Sequence, residues 1–214
     1  METNRHIPST VLATYATGNL AEAYSLVVAC HVSLCDTCRA ELAAFEAVGG
    51  DLLEHSDESA LAPHSLEATL ARIEAEPKGP SAPLRPTASV FPEPLQRYVG
   101  AGPEDVRWRS VGGGVRQAIL DCSKEASARL LHIPGGMAVP EHGHRGLELT
   151  LVLQGAFLDS VDRFERGDVE VGDKELEHQP IAAPGEACIC LAATDAPLRF
   201  KSFIPRLLQP LIKI

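Results

Sequence analysis

Three residues near the amino terminus, His31, Cys35 and Cys38, have the types and the spacing of metal ligands. On one continuous helix, offsets of four and seven residues nearly complete whole turns, so the three donors would share a face. If the helix instead breaks near Leu34, the Cys-x2-Cys pair opens the next helix, where free backbone N–H groups favour thiolates. Either arrangement unites one imidazole with two sulfurs. Structural zinc takes four nitrogen or sulfur ligands in a tetrahedron, so a fourth donor must come from elsewhere. His6 precedes the first helix and can fold back. Cys30 is its rival, rotated about 100° from His31 on a helix, and His55 and His64 are further alternatives.

A second group lies in the other half of the chain. His142, Gly143 and His144 are followed after three residues by Glu148, and Gly136 and Gly155 bracket the run. On a strand, residues two apart face the same way, so His142 and His144 point to one side and Glu148 keeps that parity. Gly143 and Gly146 let the chain bend between the donors. Cys188 and Cys190 are also two apart on a predicted strand, which holds such residues about 7 Å apart, at or beyond the reach of an unstrained disulfide. They read first as buried thiols and second as redox-sensitive thiols beside a metal. His132 reads as a packed strand histidine.

The elements that must position these residues change character along the chain. From Thr10 to about Ile73 the sequence is rich in Ala, Leu and Glu at helical spacing. A helix is expected over Leu20–Leu34 with Asn19 as N-cap. A second opens near Asp36 and stops at Gly49-Gly50, and a third follows Pro63 with Ser65 as N-cap. Residues 77–94 hold six prolines without periodicity, which predicts an extended, solvated linker. After Tyr98, at least seven short alternating runs are separated by Gly, Pro and Asp, the pattern of an antiparallel barrel or sandwich. The expected organisation is a multidomain α + β chain: a helical domain at 1–76, a linker at 77–94 and a β domain at 95–214.

Charge narrows the classes of partner. Residues 1–94 carry 5 basic and 13 acidic side chains, against 14 and 16 in the remainder. So acidic a segment would be repelled by a phosphate backbone, which argues against direct nucleic-acid binding and favours a basic protein surface. No run approaches the roughly 20 apolar residues of a membrane span, and METNRHIPST lacks a basic segment followed by an apolar core. A cytoplasmic location is expected, in which grouped cysteines are metal ligands or redox thiols before they are disulfides.

Roughly residues 1 to 75 resemble the zinc-binding anti-sigma domain, a family of small helical bundles that sequester extracytoplasmic-function sigma factors. That family's motif, H-x3-C-x2-C with an upstream His or Cys, falls on His31, Cys35, Cys38 and His6. The resemblance implies a structural zinc, and helices that wedge between two sigma regions and block docking on RNA polymerase. The run from Gly136 to Gly155 resembles the first cupin motif, G-x5-H-x-H-x3-E-x6-G, without mismatch. A second cupin motif normally supplies a last histidine, here His178, although the usual Pro-x-Gly before it is replaced by Gly172 six residues upstream. The implied set of His142, His144, Glu148 and His178 suits zinc or another divalent metal such as Fe, Mn or Ni.

Together the modules resemble the ChrR-type anti-sigma factors of bacteria. That implies a one-to-one complex with an extracytoplasmic-function sigma factor, no direct contact with nucleic acid or membrane, and release on oxidative stress (singlet oxygen or peroxide) sensed through the cupin. The competing reading is a metal-dependent cupin enzyme, dioxygenase-like, with a zinc-stabilised helical appendage. Four protein ligands leave fewer open positions than the three typical of catalytic zinc, which favours a regulator without enzymatic activity.

Overall fold

The structure is a computed structural model describing residues 3, 5–76, 89–160 and 162–201. Helices α1 (Ser9–Ala16), α2 (Glu22–Leu34), α3 (Asp36–Glu54) and α4 (Ser65–Ala75) form the amino-terminal part. The chain breaks between α2 and α3 at Cys35, whose backbone is extended (φ −118, ψ 109), so the Cys-x2-Cys pair opens the second of two helices.

Three helix boundaries depart from expectation. The N-cap of α2 is Ala21; the Asn19 amide instead donates to the Thr17 hydroxyl at 3.0 Å, a local bond that holds it in the preceding turn. Gly49 and Gly50 do not stop α3, which continues to Glu54. A helical glycine costs only about 1 kcal/mol, and Leu52, Leu53 and Glu54 carry the helix on. The N-cap of α4 is His64 in a left-handed conformation (φ 63), which leaves Ser65 as the first helical residue, its hydroxyl donating to the Ala62 carbonyl.

Residues 77–88 of the expected linker lie outside the described residues. The last part of that stretch is not extended and solvated. Phe91 is buried and α5 (Glu93–Val99) follows at once, with Leu95 fully buried. Pro92 and Pro94 cause this, because proline fixes φ near the helical value and lacks an N–H that a first turn leaves unpaired.

Twelve strands follow among the described residues. They are β1 (Arg109–Gly112), β2 (Val115–Ile119), β3 (Ser127–Ile133), β4 (His142–Gly143), β5 (Glu148–Gln154), β6 (Ala156–Leu158), β7 (Arg163–Glu165), β8 (Val169–Gly172), β9 (Glu177–His178), β10 (Ile181–Ala182), β11 (Cys188–Thr194) and β12 (Arg199–Phe200). They pair antiparallel as a six-stranded sheet β1-β2-β3-β11-β5-β8 and two three-stranded sheets, β10-β6-β7 and β12-β4-β9. Strands from all three sheets enclose one cavity of about 270 Å³. Of the two antiparallel arrangements that the turn spacing allows, barrel or sandwich, this is the barrel-like one, with its sheets around one cavity.

All seven residues of β11 are buried, because the strand is covered on both faces. Cys190, Ala192 and Thr194 line the cavity. Ile189, Leu191 and Ala193 belong to a cluster that also contains Leu26, Val27 and Val28 of α2 and Leu149, Leu151 and Leu153 of β5. Helix α2 therefore lies on the outer face of the barrel sheet, and the helical and β parts share one core. Polar bonds reinforce that seam. Tyr24 donates to the Leu147 carbonyl at 2.7 Å, and Glu22 accepts from the Tyr98 hydroxyl at 2.8 Å and from the Ser123 amide at 2.7 Å.

Candidate metal centres

The first centre forms where the loop before α1 folds back against the α2–α3 break. His31 lies in the last turn of α2, Cys35 is the N-cap of α3, Cys38 lies in its first turn, and His6 comes from the leading segment. One donor atom from each lies within 4.8 Å of every other. His6 Nδ1 stands 3.3 Å from Cys35 Sγ and 3.6 Å from Cys38 Sγ. The rivals are elsewhere: Cys30 is fully buried in the shared core, with its thiol pushed up to about 12 by burial, while His55 and His64 are exposed on α3 and before α4.

His31 is prepared for a cation. His31 Nδ1 is 2.8 Å from the Gly167 carbonyl, so that nitrogen carries the proton and Nε2 is left free. Nε2 is buried, with no hydrogen-bond partner among the described residues. Burial also holds the His31 imidazole below its usual range, in the neutral form that ligates. Burial pushes the Cys38 thiol up to about 11, so a thiolate there needs a neighbouring positive charge. An orphaned imidazole nitrogen beside two thiols and a second imidazole fits a metal ion, and four donors is the number a tetrahedral structural site takes.

The second centre forms in the barrel. His142 on β4 stands opposite His178 on β9 in the paired register, and His144 follows the end of β4. The three Nε2 atoms converge: His178 lies 3.1 Å from His142 and 3.2 Å from His144. The outer nitrogens of two rings are occupied, His142 Nδ1 by the Pro140 carbonyl at 2.8 Å and His178 Nδ1 by Asp159 and Glu170 carboxylates at 3.2 and 3.4 Å. Such outer contacts fix the tautomer that turns Nε2 toward a metal. Burial lowers His142 and His144 to about 4. For His178 burial pulls the same way, but Glu170 and Asp159 outweigh it and the net shift is upward.

Glu148 stands apart from the three converging nitrogens. A bend at Arg145–Gly146 separates it from β4, and Glu148 opens β5 in another sheet, yet it lines the same cavity as His142 and His178. One carboxylate oxygen accepts from Thr150 at 3.1 Å and the other lies 3.7 Å from His144 Nδ1. Its exposed edge faces the cavity, and burial raises it to about 7. Gly172 has a clear local role: a Cβ there would meet the His144 ring at 3.0 Å, so the glycine makes room for that imidazole.

Sequence reasoning overlooked Asp159 and Glu170. Glu170 had a usable signal, being a carboxylate at an inward position of a strand otherwise made of Val and Gly. His132 lies outside the cluster, bonded to Arg116 at 2.9 Å and edge-on to Trp108. The Cys188 and Cys190 thiols are free and buried, with their sulfurs 3.4 Å apart, closer than an ideal strand allows. A register shift between Ile189 and Cys190 interrupts the ladder there.

Residues 96–197 match the family described as the ChrR Cupin-like domain. The whole chain is 58% identical to the anti-sigma-E factor ChrR of Cereibacter sphaeroides, covering 100% of both proteins. The chain belongs to the ChrR family of anti-sigma factors. A solved ChrR chain, in the crystal structure of Rhodobacter sphaeroides SigE in complex with the anti-sigma ChrR, superposes with a TM-score of 0.79 at 56% identity, covering 90% of this chain and 99% of that one. Membership of the ChrR family over the full length places the chain among regulators and not enzymes. No helix among the described residues is long and apolar enough to cross a membrane.

Proposed function

We propose that this protein is a cytoplasmic anti-sigma factor that represses transcription by holding one extracytoplasmic-function sigma factor in a one-to-one complex. Its helical domain (1–76) makes the contact. Its cupin domain (95–214), joined through residues 77–94, is where singlet oxygen or peroxide acts to release the partner. The observation that carries this reading is full-length membership of the ChrR family, one of whose members is solved bound to SigE.

The helices support it with a surface. Helix α4 buries none of its residues, yet Leu66, Leu70 and Ile73 recur on it at helical spacing with exposures of 66%, 49% and 63%. Val48, Leu52 and Leu53 are likewise exposed, on the far end of α3. A stripe of this kind is what an amphipathic helix presents to a partner groove. The acidic residues around it suit a basic protein.

Zinc is the ion that fits His6, His31, Cys35 and Cys38, because paired thiolates and imidazoles select it over harder cations. When bound it would supply folding energy to the bundle. His142, His144 and His178 would hold a second divalent metal, zinc or another, with Glu148 beside it.

The test is direct binding of the full chain to the extracytoplasmic-function sigma factors of its host. A Leu66→Glu/Leu70→Glu double variant should bind at least about 100-fold more weakly, the scale of two hot-spot losses. Its circular dichroism should be unchanged, since these side chains are exposed in the free chain. A wild-type chain that captures none of those sigma factors would overturn the reading.

A further inference from the structure

The two centres are not independent of one another. The tight turn Arg166-Gly167-Asp168 leads from β7 into β8, and it touches the thiol–imidazole cluster at three points. The Gly167 carbonyl holds His31 Nδ1 at 2.8 Å. Asp168 Oδ1 accepts from the Arg5 amide at 3.2 Å, and the Val169 amide donates to the Arg5 carbonyl at 3.3 Å, which pins the residue immediately before His6. Thr3 donates its hydroxyl to Cys35 Sγ at 3.0 Å while its methyl packs on Gly167, where an added Cβ would sit only 2.6 Å away. Three of the four candidate ligands are thus positioned by one turn of the barrel.

The same turn is anchored to the other centre. Gly167 donates to the Val152 carbonyl at 2.8 Å and Val152 donates to the Asp168 carbonyl at 3.0 Å, clamping the turn to β5. Three residues beyond Gly167, Glu170 on β8 contacts His178 Nδ1 at 3.4 Å. Glu170 also stands opposite Thr150, whose hydroxyl bonds Glu148. A close-packed strand does not absorb a displacement by compressing, so movement at Glu170 is delivered to the turn. Outer contacts to a metal-ligating histidine in turn govern how firmly its site is held.

We propose that the Arg166–Asp168 turn is the coupling element between the barrel and the helices: release of the Glu170–His178 contact loosens the turn and unlocks Cys35 and Cys38. This deepens the functional reading above, on which it rests, by naming how an event at the barrel centre reaches the helices. Gly167 is a positioning residue in this scheme, since it acts through His31 and Thr3 without itself offering a donor side chain.

The experiment measures iodoacetamide labelling rates of individual cysteines in the zinc-loaded full chain by mass spectrometry. Glu170→Gln should speed labelling of Cys35 and Cys38 by about fivefold, the factor that one typical buried hydrogen bond carries. Cys30, fully buried in the shared core, should stay as protected as in the wild type, which separates local loosening from general unfolding. Gly167→Ala should have a similar effect, and adding Glu170→Gln to it should change nothing further. Thr3→Ala, which removes both the hydroxyl bonded to Cys35 and the methyl packed on Gly167, replaces Gly167→Ala if that variant does not fold. Wild-type labelling in Glu170→Gln, or effects that multiply in the double variant, would overturn the coupling. The assay needs no partner, so a chain that binds no sigma factor would sink the functional reading while leaving the labelling result intact.

Discussion

Tyr24→Phe isolates one bond across the seam between α2 and the barrel. Tyr24 is 5% exposed and donates to the Leu147 carbonyl at 2.7 Å. Burial, with the Asp195 carboxylate nearby, holds its phenol above the usual range. At pH 7 the variant loses a buried hydrogen bond and leaves a carbonyl without that donor, a cost of about 1–2 kcal/mol. For a chain of this size each kcal/mol lowers Tm by about 2–4 °C.

The pH dependence then has a definite sign. The unfolded tyrosine loses its proton near its ordinary value of about 10, while the folded one keeps it, so the wild type alone loses about 1.4 kcal/mol for each pH unit above that point. The contribution of Tyr24 is therefore complete below pH ~10 and lost above it. The stability gap between wild type and variant should close near pH ~11 and reverse beyond it. Urea titrations followed by circular dichroism at matched metal content, from pH 7 to about pH 11.5, would show the crossing. A gap of constant size across that range would refute the argument that the folded site holds the proton, and no gap at pH 7 would refute the energetic role of the bond.

Two further outcomes are expected. Phe91→Ala, which empties a buried position at the end of the Pro-rich stretch, should cost about 3–5 kcal/mol by the same urea titration, whereas a solvated linker residue would cost almost nothing. His142→Ala should lower the metal content measured by mass spectrometry from two ions per chain to one, while Cys35 and Cys38 keep theirs.

The candidate ligands were legible because their spacing is local. His31, Cys35 and Cys38 lie within eight residues, and helix geometry forces them together whether or not the helix breaks. Glu148 faces the cavity that His142 and His178 also line, as its parity predicts, although the bend at Arg145–Gly146 interrupts the strand between them. The contact of His31 with Gly167, 136 residues away in sequence, has no local signature. The glycine is chosen by the turn and by the nearness of Thr3, and neither is visible without the fold. Helix α5 was missed for a different reason, since prolines that signal a linker in a run signal a helix start when two stand at its first turn. The double burial of β11 was visible as the unbroken apolar run CICLAA, yet a run does not say what covers each face.

The shared core constrains how a signal could pass between the two parts. Lifting the helical unit off the barrel would expose α2 side chains such as Leu26, Val27 and Val28 together with the sheet residues Leu149, Leu151 and Leu191. At about 1.5–3 kcal/mol for each large apolar side chain, half a dozen of them amount to roughly 10 kcal/mol or more. That is comparable with the entire stability of a typical folded domain. A turn held by a few hydrogen bonds of about 1 kcal/mol each is a far lower barrier to cross. Such a turn can respond to a chemical event at three histidines while the core stays closed. In this molecule, therefore, the economical route from barrel to helices runs along β8 into its preceding turn, with α2 seated on the sheet throughout.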